Sequence, residues 1–381
     1  MHVRQIIEVL GKIAPLDYAA GWDNVGLLIG SPGWEASTLL LTIDLTDQVL
    51  AEAIEGGAEM IVSYHPPIFE GLRKLVDDSP SQRIALNAAR GGVAVYSPHT
   101  ALDAAPDGVN DWLAKGLGQG DVRALEALQT LAETQQCKLV TFCPAEAVDR
   151  LRRALAAVGA GWIGDYSLCS FEIPGTGTFL GGETTHPQVG RKGSLQRVDE
   201  IRLEMVCPEA SLALALATIR RTHPYEEPPI EIYRLRPHPQ WAIGQGRRIE
   251  LDEKADLPTL IGRIKKHLGV ETLRVALGRG GGGGPGGRGA TRRYGSIGVC
   301  AGAGGSLIKA AISAGCELFV TGEMRHHDIL AAQAQGCTVL LGGHTNTERG
   351  YLKVLRTRLA DALPDATVLV SRTDGDPLRA M

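Results

Sequence analysis

The chain repeats itself. Ala53-Ile54-x-x-Gly57-x-Glu59-x-x-Val62 reappears as Ala311-Ile312-x-x-Gly315-x-Glu317-x-x-Val320 within 381 residues. In each copy a helix-like stretch meets a glycine stop and then an apolar run of strand character. An echo of this size at two distant places points to two related α/β lobes; the plainer reading is the shared grammar of helix, glycine and strand. The length exceeds what one hydrophobic core supports and suits two or three domains.

A second recurrence follows each copy. VAVYSP precedes His99-Thr100-x-x-Asp103, and TVLLGG precedes His344-Thr345-x-x-Glu348. A histidine and a carboxylate four residues apart share one helix face, where they can chelate a cation together. Two such pairs near opposite ends of the chain predict that the lobes converge on one metal site.

The first lobe reads as a strand over 38–45, a helix capped by Thr46 or Asp47 and stopped at Gly56-Gly57, a strand over 60–63 ending at Tyr64-His65, a helix over 82–90 and a strand over 93–97. The last lobe reads as a strand over 296–300, a glycine turn at 301–305, a helix over 306–314 and strands over 317–321 and 338–341. One long helix over 347–363 follows, whose Leu352, Leu355, Leu359 and Leu363 form a core stripe. Strands alternating with helices imply a largely parallel sheet, with ligands gathering beyond the carboxyl ends of its strands. His65 and His99 stand at such ends.

Residues 130–242 break the pattern and separate a lobe at 1–129 from a lobe at 243–381. A strand over 138–143, a helix over 145–158, two extended pieces over 166–172 and 177–180, a strand over 200–206, a helix over 209–221 and a strand over 230–234 give a ferredoxin-like order, suited to an inserted α+β domain. The run RGGGGGPGGRGATRR at 279–293 is low in complexity and predicts a flexible loop. Its Arg-Gly character suits RNA, but the net charge of −4 argues against nucleic acid and against an electrostatically held membrane surface. No apolar stretch is long enough to span a bilayer, and the amphipathic start (Val3, Ile6, Ile7, Leu10, Ile13) lacks the features of a signal peptide. Seven scattered cysteines with no C-x-x-C pair suit a reducing cytoplasm.

The polar residues at strand ends are His65, His99, Asp103, Glu323, His326, His327, His344 and Glu348. A mixed imidazole–carboxylate set without thiolate suits Zn, Fe, Mn, Co or Ni above Ca or Mg. Asp103 and Glu348 can each bridge two cations, which admits a dinuclear centre that acidifies water for hydrolysis. Simpler roles stand beside these: His99 as a helix cap, Asp103 as a turn residue, and at least one of His326 and His327 facing away from the site.

Five stretches carry a resemblance: GWDNVGLLIG at 21–30, SYHPPIF at 63–69, YSPHTALDAAPDGVN at 96–110, TGEMRHHD at 321–328 and GGHTNTERG at 342–350. Together they resemble the Nif-three-like dinuclear metal-centre family, often labelled GTP cyclohydrolase I type 2 homologues. HPYEEPPIEIY at 223–233 resembles the PII- or CutA-like insert of its longer bacterial members.

The resemblance implies two α/β lobes flanking a metal cleft, a PII/CutA-like insert, a homohexamer and two divalent transition metal ions per subunit. It implies His65, Asp103, His344 and Glu348 as metal ligands; beside them Tyr64, His99, Glu323 and His327 are candidates for supporting or weak ligands, and in the hydrolase reading catalysis depends on Glu348. Tyr64 stands where many bacterial members carry a further histidine, which leaves the second site weaker, Tyr-assisted or empty; the family's eukaryotic branch carries a similar Tyr-His pair. The leading reading is a metal-dependent hydrolase. The alternative is a non-enzymatic metal-binding regulator, a storage or insertion factor, or a scaffold whose insert senses a ligand.

Overall fold

The computed structural model describes residues 1–279 and 292–378. Most of the loop expected at 279–293 therefore lies outside the described residues. The chain divides into two compact units, Met1–Leu128 with Gln240–Met381, and Gln129–Pro239.

The first unit holds two sheets. Across the first, the strands lie in the order Gly26–Ile29, Ala94–Ser97, Met60–Ser63, Thr38–Thr42, Thr367–Val370. All pairings are parallel except that of Gly26–Ile29 with Ala94–Ser97. Across the second, the order is Arg274–Ala276, Thr338–Leu341, Leu318–Glu323, Arg293–Ala303, His238–Asp256, Gly120–Thr130. Its middle three strands are parallel, and Arg274–Ala276 runs antiparallel beside Thr338–Leu341. Each sheet thus contains three successive parallel strands with an antiparallel strand beside the third. The parallel strands are apolar throughout because both of their faces are covered. One core runs through the two sheets, with Leu39, Met60, Val62 and Tyr96 from the first and Ile297, Val299, Val320 and Leu340 from the second.

Local chemistry fixes the helices around these sheets. Val3–Ile13 buries Val3, Ile6, Leu10 and Ile13 on one stripe. Thr46 caps Asp47–Glu55 by accepting from Val49 N; the helix buries Val49, Leu50 and Ala53, whereas Ile54 is 46% exposed. The long helix expected over 347–363 is two helices, Asn346–Arg349 and Tyr351–Ala362. They divide at Gly350, where Trp112 packs so closely that a Cβ would lie 2.3 Å from its ring. The leucine stripe is buried as expected.

The second unit follows a β-α-β-β-α-β order. Its sheet runs Phe171–Leu180, Leu195–Cys207, Cys137–Cys143, Ile230–Arg234 and is antiparallel throughout. The two extended pieces expected at 166–172 and 177–180 are one strand, Phe171–Leu180, because ladder pairing carries it through Gly175 and Gly177. Leu155 and Ile219, from helices Val148–Ala156 and Leu212–Thr222, pack on Leu139 and Met205 of the sheet. Among the described residues no helix is long and apolar enough to cross a membrane. All seven cysteines are unbridged.

Candidate metal centre

Two strand ends bring the key imidazoles together. After Met60–Ser63 the backbone pairing continues, Tyr64 N to Thr42 O at 2.9 Å and His65 N to Ile43 O at 3.0 Å, which fixes His65 at the sheet's carboxyl edge. After Thr338–Leu341 the chain turns through Gly342-Gly343, with φ +90° at Gly343, and delivers His344. Only glycine adopts that conformation without steric cost.

Both rings are oriented from behind by carboxylates. His65 Nδ1 donates to Asp44 Oδ1 at 2.9 Å, and His344 Nδ1 donates to Glu323 Oε1 at 3.0 Å. That leaves each Nε2 facing Glu348: His65 Nε2 lies 3.6 Å from Oε2, and His344 Nε2 lies 3.5 Å from Oε1. The ligand atoms of His65, His344 and Glu348 all fall within 4.8 Å of one another.

Glu348 is only 2% exposed, and its Oε2 is buried without a hydrogen-bond partner. An ionised oxygen in that condition is costly unless a cation completes it. Gly302 supplies the remaining wall. Its φ is +64°, and a Cβ there would stand 2.5 Å from Glu348 Oε1 and 3.1 Å from His344 Nε2. Two imidazole nitrogens backed by carboxylates, an orphaned carboxylate oxygen and a wall with no side chain fit a divalent transition metal.

The local charges follow from this packing. Burial works against the charged form of His65, but the carboxylates of Asp44 and Glu348 outweigh it and push its pKa up to about 10. Burial likewise opposes charge on Asp44, and the His65 hydrogen bond holds its pKa below the usual range nonetheless. In the metal-free protein a proton on His65 therefore supplies the positive charge that Glu348 lacks.

Asp103 lies close by but outside the triad. Its Oδ1 accepts from the Tyr64 hydroxyl at 2.5 Å. Burial raises the Asp103 carboxyl to about 6, with the Tyr64 hydrogen bond and His99 pulling the other way. Burial, and then the charges of Asp103 and Glu348, hold the Tyr64 phenol well above its ordinary value, so the tyrosine keeps its proton.

The two His-x-x-x-acid copies therefore behave differently. In the second, His344 and Glu348 face each other. In the first, His99 Nδ1 donates to Asp23 Oδ1 at 2.8 Å, the His99 charge acts on Asp103, and its φ of +27° is a strained value for a non-glycine residue. The His99 ring still stands 5.3 Å from the His65 ring. Glu323 holds His344 in place. His326 and His327 are exposed, pack against each other with ring centroids 5.7 Å apart and do not join the triad. Sequence reasoning missed Asp44, Asp23 and Gly302. Two of them carried a signal: Gly302 lies in the glycine-rich turn, and Asp23 in the GWDNVGLLIG stretch.

Comparison with known proteins agrees with this geometry. The profile of the Duf34/NIF3 (NGG1p interacting factor 3) family matches residues 1–377. NIF3-like protein 1 of Rattus norvegicus is 35% identical over 384 aligned positions, covering 100% of this chain and 93% of the relative. The GTP cyclohydrolase 1 type 2 homolog of Bacillus subtilis is 31% identical over 377 positions, covering 98% and 97%. Among solved structures, a Bacillus cereus protein related to NIF3 superposes with a TM-score of 0.66 at 29% identity, covering 100% of this chain and 99% of that one. Staphylococcus aureus protein SA1388 gives a TM-score of 0.75 at 26% identity with the same coverage. The chain belongs to the Duf34/NIF3 family.

Proposed function

We propose that this protein is a metal-dependent hydrolase whose centre is His65, His344 and Glu348, with Asp103 serving a second, weaker ion. The observation that carries this reading is the buried Glu348 carboxylate, whose two oxygens face two Nε2 atoms at 3.5 and 3.6 Å while Oε2 has no hydrogen-bond partner. When bound, a divalent transition metal supplies the Lewis acidity that brings the pKa of a water near neutrality. The chain's own residues do the rest. Asp44 and Glu323 fix both imidazoles in the tautomer that presents Nε2. Tyr64 donates to Asp103 Oδ1 and holds that carboxylate in place.

The name of the Bacillus subtilis relative makes GTP a first substrate to try, beside phosphoesters. The test is elemental analysis of the purified chain, followed by a turnover screen of the zinc-, iron- and manganese-loaded forms. Metal-dependent turnover that Glu348→Ala abolishes supports the reading. Retained metal with no turnover on any substrate favours a regulator, storage factor or scaffold. A PII- or CutA-like role for Gln129–Pro239 and a homohexameric assembly belong to the same proposal. The β-α-β-β-α-β order of that unit supports the first, and light scattering tests the second.

A further inference from the structure

Trp22 stands in the open near the candidate centre. It is 65% exposed, and its neighbour Phe69 is 52% exposed. Their ring centroids lie 5.9 Å apart, and the Trp22 ring meets His99 edge-on at 6.2 Å. His99 in turn stands 5.3 Å from His65. An aromatic surface therefore leads from solvent to an imidazole that faces Glu348.

The chain holds this exposed pair in place on both sides. Asp23, whose side chain is 0% exposed, accepts from His99 Nδ1 at 2.8 Å and from Thr100 N at 3.1 Å, and also from the Thr100 hydroxyl. Asn24 Nδ2 donates to Ile68 O at 2.6 Å, tying the Trp22 loop to the residue before Phe69. A large aromatic side chain normally gains by burial. Here buried polar anchors on the next residues fix two such side chains where water reaches them. Rigid exposed π-faces of this kind take a flat partner by stacking, with little entropy to lose on binding.

We propose that Trp22 and Phe69 form a stacking platform for a planar aromatic or heteroaromatic ring, borne by a ligand whose reactive group reaches the His65–His344–Glu348 site. The position of the reactive group rests on the function proposed above, whereas the platform rests on ring geometry and the Asp23 and Asn24 anchors. The substrate class is then an aryl or heteroaryl ester or amide, not a purely aliphatic one.

The experiment is calorimetric titration of the zinc-loaded full chain with phenyl phosphate and with methyl phosphate. The wild type should bind phenyl phosphate about tenfold more tightly, Trp22→Phe should keep most of that preference, and Trp22→Ala should lose it while binding methyl phosphate unchanged. A wild type without the preference, or a Trp22→Ala chain that retains it, overturns the platform. So does a fall in subunit number for Trp22→Ala with the preference intact, because the face would then be a contact between copies. Failure of the hydrolase reading looks different: the Trp22-dependent preference persists, and no aryl phosphate is turned over.

Discussion

The Tyr64 hydroxyl donates to Asp103 Oδ1 at 2.5 Å, occupying an oxygen that a second metal ion would otherwise claim. Tyr64 is buried and Asp103 partly so, which keeps this bond in a largely desolvated setting. In the two-ion form of the proposed centre, Tyr64 would compete with the second ion for that oxygen.

Tyr64→His should raise the second ion's occupancy. The substitution removes the competing hydroxyl and adds an imidazole beside His65. Elemental analysis after dialysis should find about one metal per wild-type chain and a value moving toward two in the variant. Equal content in both proteins would refute this role for Tyr64.

Metal affinity should rise with pH across the neutral range. His65 carries a proton up to about pH 10 in the metal-free protein, and that proton competes with the cation for Nε2. Each pH unit between 6 and 9 should strengthen zinc binding roughly tenfold, with proton release detectable by calorimetry in buffers of different ionisation heat. A flat profile would place the metal elsewhere.

The carboxylates behind the imidazoles should matter nearly as much as the ligands. Asp44→Ala or Glu323→Ala removes the acceptor that orients His65 or His344. Each should weaken zinc binding about 10–100-fold without unfolding the chain. Competition with a chromogenic chelator, alongside circular dichroism, reads both quantities.

Arg247 is a stability determinant remote from the chemistry. It is 1% exposed, pairs with both oxygens of Asp111 at 2.9 and 3.0 Å and donates to Ala104 O and Ala105 O at 3.1 and 3.0 Å. These bonds close the helix His99–Ala104 that carries Asp103. Arg247→Met should cost about 3–5 kcal/mol in urea denaturation, because Asp111 and the carbonyls lose their partner.

Glu52 should give stability a distinct acid limb. Burial opposes its charge, but the Ser371 and Thr373 hydroxyls and the Arg372 and Thr373 N–H groups outweigh that and lower its pKa to about 2 from an ordinary 4.5. Its contribution is therefore present above pH 4.5 and fades as pH falls toward 2. The stability gap between wild type and Glu52→Gln should be widest near pH 6 and close by about pH 2. A gap that persists in acid would overturn the assignment.

Much of this was legible in the chain because repetition and burial leave marks. The Ala53–Val62 and Ala311–Val320 echo located corresponding parallel strands, the end of the first such strand located His65, and the second His-Thr-x-x-acid motif located His344 and Glu348. The orienting residues were harder to see. Asp44 has no spacing to betray it, since its partner His65 lies on the next strand and only sheet pairing brings them together. The partner of His99 was hidden in the same way: its Nδ1 bonds to Asp23, 76 residues earlier, while its ring stands 5.3 Å from that of His65. The helix Leu257–Leu268 went unread although Asp256 caps it, a proline opens it and Gly269 closes it in the left-handed conformation. Those signals were local and complete; no repeat drew attention to them.

The last strand has a consequence for biosynthesis. Thr367–Val370 completes the first sheet beside Thr38–Thr42, yet roughly 300 residues are made between them. At about 5–20 residues per second, the apolar edge of Thr38–Thr42 stays unpaired for about 15–60 s on the ribosome. During that wait it is an open template for any passing strand. Nascent chains should therefore lean on holdase chaperones until synthesis is nearly done, and ribosome stalling before residue 367 should leave a species that aggregates although most of its sheets are already in place.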